Sequence, residues 1–450
     1  MDTNEFQEII NQLHANSIRE LNLYKKGVNS SQVIALASAL VSNTSLKKLD
    51  LGATRFEDDA LLTLAEALSQ NTSLKILLLQ FVSTSDGGVR AIADALLKNN
   101  TLEKLSLSCD IESNINEAVK KFATALESNI GLKKLNLSHT HLNDQSVIAL
   151  CKALEINKTL RKLNLSDNYF LTDASIIAIA NTLTINKGLN ILRLIFNNIT
   201  DTAFVVLAES LKNNKQLLDL DVTGNTIGNK GAKALSRSLQ SNKVLTHITL
   251  AENHIEDKGA IALAKCLQKN AILFYLGLGH NRIQRPGVEA FRQALNSNCT
   301  LHELDWTEGY DYHPTYNVAH DIINDIEKKL EGNAIINRSN MYNLVKLFGG
   351  IEEGPLTLIF KFLFDSYEVK RAEHLMQQSV NRMRNKLILS TIIPNREGAL
   401  TVLINARPPL LSFQAFREKM RLLQAQHQVN VQPIENQYKK FSTASQCKIS

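Results

Sequence analysis

The sequence predicts an α/β fold. It is a right-handed solenoid of about eleven repeated units, with parallel strands inside and helices outside, followed by a small, mainly helical C-terminal domain. Three observations predict it. A hexad of the form L-x-x-L-x-L recurs eleven times between Ile18 and Trp306, and its step is 28 residues with two exceptions, 30 after Leu102 and 29 after Leu160. An asparagine also stands three residues ahead of each of the last ten hexads. Self-similarity at such a period means that one small unit is stacked many times.

In chain order the hexads begin "IRELNL" at Ile18, "LKKLDL" at Leu46, "LKILLL" at Leu74 and "LEKLSL" at Leu102. "LKKLNL" at Leu132, "LRKLNL" at Leu160, "LNILRL" at Leu189 and "LLDLDV" at Leu217 follow. "LTHITL" at Leu245, "LFYLGL" at Leu273 and "LHELDW" at Leu301 end the series. Most hexads alternate apolar and polar residues over their last four positions, as a strand buried on one face does. Between hexads the period changes to that of a helix. In "DDALLTLAEALSQN", Leu61, Leu64, Ala65 and Leu68 fall on one side. One unit cannot bury its leucines alone, whereas stacked units share a core and join their strands through right-handed helical crossovers.

A short strand followed by a helix at this period resembles the ribonuclease-inhibitor-like class of leucine-rich repeats. That repeat also occurs in NOD-like receptors and in the GTPase-activating protein for Ran. The resemblance covers roughly residues 1–306. The asparagines ahead of the hexads are Asn43, Asn71, Asn99, Asn129, Asn157, Asn186, Asn214, Asn242, Asn270 and Asn298. They are expected to adopt the left-handed conformation that ends a helix and turns the chain into the next strand. Eight residues after the first hexad residue, the resemblance implies a second asparagine, bonded to neighbouring loop backbone. It is present as Asn168, Asn197, Asn225, Asn253 and Asn281, but Lys26, Thr54, Val82, Asp110 and Thr140 replace it in the first five units. The N-terminal half is therefore expected to be less regular along that edge.

After Trp306 the period stops, and six of the seven prolines lie beyond it. The expected domains are the solenoid at 1–306, a connector and capping helix at 307–333, a helical basic domain at 334–430 and a flexible tail at 431–450. The capping segment "NVAHDIINDIEKKLEG" sets Val318, Ile322, Ile326 and Leu330 on one side, and a terminal repeat needs such a cover.

The x positions beside the hexad leucines point away from the core, so successive units build stripes on the inner curve of the sheet. Along the third position Lys104, Lys134 and Lys162 form a basic middle, with Lys133 and Arg161 beside them. Apolar spots fall at Ile76, Leu78 and Phe81, at Ile191, Ile195 and Phe196, and at Phe274 and Tyr275. Arg193 and the acids Asp219 and Asp221 lie toward the far end. Anchors rimmed by charge suit a protein ligand, so this concave face is the expected partner surface.

Catalysis has a weaker footing. The eighth position of units four to six reads Cys109, His139, Asp167, the chain order of a nucleophilic triad, but with no legible oxyanion-stabilising loop. The chain has no P-loop, paired-cysteine zinc pattern or His-Glu-x-x-His, so no cofactor or metal is expected. The leading expectation is a non-enzymatic interaction protein, and a monomer. The alternative is an enzyme or enzyme modulator acting through its C-terminal domain, with the repeats selecting substrate.

Charge divides the chain unevenly. Residues 356–450 carry 14 Lys and Arg against 6 Asp and Glu, a net +8, while the remainder is at −2. That bias suits an anionic membrane surface, and no nucleic acid is expected. Five scattered cysteines suit a reducing, cytosol-like compartment, and the N-terminal stretch lacks the apolar core of a secretory signal. The final residues "CKIS" fit the prenylation pattern C-a-a-X, with Cys447 as acceptor. A Lys-, Asn- and Ile-rich chain with this repeat resembles leucine-rich-repeat effectors that intracellular bacteria deliver into host cells, some of which borrow host prenylation.

Overall fold

The structure, a computed structural model, describes residues 1–306 apart from 56, 83–84 and 110–114, and residues 322–333 apart from 324 and 332. Helix α1 (Thr3–His14) precedes strand β1 (Glu20–Asn22). Then come α2 (Ser30–Ser42), β2 (Lys48–Asp50), α3 (Asp58–Gln70), β3 (Ile76–Val82), α4 (Asp86–Ala95) and β4 (Lys104–Cys109). The middle holds α5 (Asn116–Ser128), β5 (Lys134–Asn136), α6 (Asp144–Ile156), β6 (Lys162–Asn164), α7 (Asp173–Ile185) and β7 (Ile191–Arg193). The last units are α8 (Asp201–Leu211), β8 (Asp219–Asp221), α9 (Asn229–Leu239), β9 (His247–Thr249), α10 (Asp257–Leu267), β10 (Tyr275–Gly277), α11 (Arg285–Ala294) and β11 (Glu303–Asp305).

Among the described residues the strands make one eleven-stranded parallel sheet in sequence order, and each helix packs on its neighbours in sequence. Strands stand about 4.8 Å apart and packed helices about 8–10 Å, so such a stack curves with its strands on the inside. The hexad leucines meet between the two layers: Leu46, Leu49, Leu51, Leu74, Leu77, Leu102 and Leu105 are all buried. Phe122, Phe204 and Phe291 fill the helix side. Cys151 and Cys266 are free thiols in this core, and burial pushes both pKa values up to about 12, which leaves them unreactive near neutrality.

The asparagine ahead of each hexad has another role than the one expected. Asn43, Asn71, Asn129, Asn157 and Asn186 have φ between −76° and −60° with ψ of 123–133°, an extended conformation, and none of the ten has a positive φ. The side chain makes the turn instead. Asn157 Oδ1 accepts from the backbone N–H of Thr159 (3.0 Å) and Leu160 (2.8 Å) in its own unit. Its Nδ2 donates to the carbonyls of Leu126 (2.7 Å) and Asn129 (3.1 Å) in the unit before. Asn99 and Asn298 repeat the same four bonds. A buried amide supplies two donors and an acceptor with two lone pairs, which matches what the turn and its neighbour leave unsatisfied.

Most of the left-handed residues lie at the eighth position. Lys25, Ala53, Phe81, His139, Asp167, Phe196, Glu252 and His280 have φ of 52–60°, and Gly224 has 69°. The asparagine that follows them stitches units where it is present. Asn225 Nδ2 donates to the carbonyls of Leu194 (3.0 Å) and Val222 (2.8 Å), and its Oδ1 accepts from Asn197 (3.1 Å) and Ile199 (2.8 Å) N–H. Where threonine replaces it, the hydroxyls of Thr54 and Thr140 bond the carbonyls of Leu51 and Leu137 in their own unit, and Thr140 also reaches Asn168 Oδ1 in the next unit at 3.3 Å. Val82 carries no polar group. There β3 and β4 lengthen and pair backbone to backbone, with a register shift between Gln80 and Val82. The irregularity along this edge is concentrated at β3 and β4.

A third ladder links the helix starts. Asp201 Oδ1 accepts from the N–H of Gly228 and Gly231, both 2.8 Å, at the start of α9. Asn229 serves Glu256 and Gly259 at α10, and Asp257 serves Gln284 and Gly287 at α11. These three helix starts are thus capped by the unit before them, and at α9 and α11 the anion also suits the helix dipole.

The chain divides into two compact units, Met1–Glu327 and Lys328–Ser450. In the first, Ile322, Ile323 and Ile326 are buried, and Asp325 Oδ2 lies 3.5 Å from Arg292 Nη1 on α11. Of the second, only residues 328–331 and 333 are described, so the expected helical basic domain, the tail and Cys447 lie outside the described residues. Among the described residues no helix is long and apolar enough to cross a membrane.

Candidate protein-binding face

The strand register turns the sequence columns into neighbours. Lys104 lies opposite Lys134, and Lys134 opposite Lys162, with Ile76 and Ile191 next in the same row on either side. Two residues on, Ser106, Asn136 and Asn164 form the adjoining row, where Asn136 Nδ2 donates to Ser106 Oγ at 2.8 Å.

Lysines around this stripe have carboxylate partners. Lys48 Nζ lies 3.4 Å from Glu20, and Glu103 takes Lys75 at 3.4 Å and Lys133 at 2.9 Å. The hydrogen bond from Lys133 leads the causes that lower the Glu103 pKa. Among the described residues Lys104, Lys134 and Lys162 have no such partner. Burial, and then the charges of Lys134 and Lys48, hold Lys104 below its ordinary pKa. Burial, and then Arg193, do the same for Lys162, with Asp219 partly opposing. The sign follows. A lysine whose folded pKa is depressed opposes folding while charged, and that penalty is relieved only as pH rises through the folded value toward the unfolded one near 10.5. An NMR titration of the lysine side chains should find Lys104 and Lys162 losing their protons at lower pH than the same residues do in the urea-unfolded chain. Equal midpoints would contradict the crowding.

Three residues expected to face a partner are engaged within the sheet. Arg193 grips Asp219 with two bonds, Nη1–Oδ1 and Nη2–Oδ2, both 2.6 Å, and its Nε lies 3.8 Å from Asp221 Oδ2. Asp219 is only 7% exposed, so this carboxylate is spent on holding β7 to β8. Arg161 donates from Nη1 to the Gly188 carbonyl at 2.8 Å and stays otherwise exposed.

The apolar anchors differ in access. Phe81 is 53% exposed and Phe196 37%, whereas Ile76 and Ile191 are half-buried and Leu78 is buried. The Phe196 ring lies flat on Gly224, where a Cβ would come within 2.1 Å of it. Tyr275 stacks on His247 at 6.0 Å and donates to Asp305 Oδ2 at 3.2 Å, while Phe274 stacks on His302 at 3.9 Å.

Of the candidate triad, two members meet. His139 Nε2 lies 3.3 Å from Asp167 Oδ2, with side-chain exposures of 45% and 20%, and Tyr169 Oη donates to Asp167 Oδ1 at 3.3 Å. Cys109 ends β4 opposite Val82, and its side chain lies outside the described residues. Among the described residues no cluster of His, Cys, Asp and Glu is placed to hold a metal ion.

The sequence reading missed one exposed pair, Tyr169 and Phe170, at 51% and 65% exposure, with His141 5.9 Å from the Phe170 ring. The signal was present. The step after Leu160 is 29 residues instead of 28, and this pair lies within that longer unit.

A leucine-rich-repeat family model matches residues 128–151, 157–180, 213–236 and 241–264. No curated protein sequence matches the chain. Among solved structures, actin-binding site 2 of leiomodin-1 is similar at 18% identity and a TM-score of 0.33, over 38% of this chain and 95% of that one. The tropomodulin C-terminal domain of Caenorhabditis elegans is similar at 19% identity and 0.31, over 34% and 93%. The yeast Rad7–Elc1 complex gives 17% identity and 0.38, over 70% and 87%. With the repeat, the register and the family model in agreement, the chain carries leucine-rich repeats in a parallel-strand solenoid, a scaffold that implies protein–protein interaction.

Proposed function

We propose that this chain is a non-enzymatic capture module that holds a protein partner on the inner face of its sheet. One observation carries the reading: eleven parallel strands present half-buried isoleucines, and lysines with no carboxylate partner among the described residues, on a face that the helices leave uncovered. A photo-reactive residue in place of Ile191 should crosslink one discrete protein from cell extract, and one in place of Lys152 on α6 should not. Equal capture from both positions would remove the reading.

The ribonuclease-inhibitor-like subtype and delivery into a host cell as a bacterial effector belong to the same proposal and rest on the sequence resemblance alone. Lipid attachment at Cys447, with basic residues 356–450 as the second membrane contact, rests on the fit of "CKIS" to the C-a-a-X pattern. In cells with a prenyltransferase, Cys447→Ser should shift the protein from the membrane to the soluble fraction. An unchanged distribution removes the anchor and leaves capture untouched.

A further inference from the structure

The row across the middle of the face reads Ile76, Lys104, Lys134, Lys162, Ile191 on five adjacent strands. Like charges directly opposite on neighbouring strands destabilise a sheet. The adjoining row is neutral beside them, at Ser106, Asn136 and Asn164, and the charges of Asp50 and Asp219 offset the crowding of Lys104 and Lys162 only in part. One unit further along the chain does neutralise its own charge, by closing Arg193 on Asp219. Among the described residues the lysine stripe is where like charges stand side by side with no ion-pair partner of their own.

Spacing narrows what fits it. Five positions at about 4.8 Å span ~19 Å. Same-face residues of an extended chain repeat every ~6.6 Å and leave register by the third lysine. Residues one helical turn apart repeat every ~5.4 Å, close to the lysine spacing, and ~13–15 residues of helix cover the row. The chain's own C-terminal region is a poor occupant, because residues 356–450 carry a net +8, the same sign as the stripe.

We propose that β3 to β7 receive an acidic helix of the partner protein, with carboxylates at successive turns against Lys104, Lys134 and Lys162 and an apolar residue at each end over Ile76 and Ile191. This rests on the inner-face reading above and specifies the chemistry of its ligand.

The test uses the full chain and a fluorescent helical peptide with glutamates at one-turn intervals between terminal leucines. Controls are the same peptide with glutamine for glutamate, a phosphoserine peptide of scrambled spacing, and phosphatidylserine vesicles. The glutamate peptide should bind best. Lys104→Gln/Lys134→Gln/Lys162→Gln should weaken it about tenfold or more, with a shallower salt dependence. Lys152→Gln/Lys233→Gln/Lys265→Gln removes the same charge from the outer helices and should change affinity by less than about twofold. The first triple variant should also melt at or above the temperature of the parent, because it removes repulsion.

Equal weakening by both triple variants would overturn the proposal, as would a lowered melting temperature of the first. Tighter binding to vesicles or to the scrambled phosphopeptide would overturn it too. If Ile191 crosslinks a partner whose binding ignores the lysine variant, the acidic helix is wrong and capture on the inner face stands. If no face position crosslinks a partner, the broader reading fails.

Discussion

Replacing Asn157 with alanine should cost about 3–5 kcal/mol of stability, read as a fall in the urea midpoint and faster hydrogen exchange at Leu160. The magnitude follows from four buried hydrogen bonds at about 1 kcal/mol or somewhat more each. Two backbone N–H groups, of Thr159 and Leu160, and two carbonyls, of Leu126 and Asn129, lose their partner together. Asn157 is 5% exposed, so water has little access to take over. Asn157→Asp should be worse, since a carboxylate oxygen would then face the two carbonyls. Asn181→Ala, at an exposed site on α7, should stay within about 0.5 kcal/mol. A loss at Asn157 no larger than at Asn181 would mean that the column does not hold the units together.

Asp219→Ala is expected to lose about 2–4 kcal/mol, and Arg193→Leu/Asp219→Leu much less. Removing one partner leaves a guanidinium in the sheet without its two strong bonds, whereas removing both leaves only apolar surface. The lower end of the range allows for the 22% side-chain exposure of Arg193, which lets solvent screen part of the charge. Thermal denaturation of the three proteins decides it. If Asp219→Ala unfolds no earlier than the parent, the pair is free to open, and both residues return to the partner surface.

These two sites also show how far the sequence could be read. The 28-residue step and the alternation within most hexads located all eleven strands and both face columns. A slip of one residue would send every leucine to solvent, so only one register is tolerable. The same columns located Asn157 and its counterparts and identified them as scaffold. Their conformation was misjudged because an asparagine before a strand suggests a local turn. The fold uses it for bonds between units, and a helix-ending residue with four partners has no need of a left-handed backbone.

For the face, the sequence determined which residues stand side by side, because the repeat length sets strand neighbours directly. It could not determine which charges are left over. Lys104 and Arg193 stand in adjoining columns of the same face, yet one is crowded by like charges and the other is closed on Asp219. That difference depends on the lateral neighbour, the side-chain rotamer and the depth of burial, which come into being only when the units stack. The repeat wrote the architecture into each unit, and the tertiary structure decided which of its charges were satisfied inside the molecule and which remained for a partner.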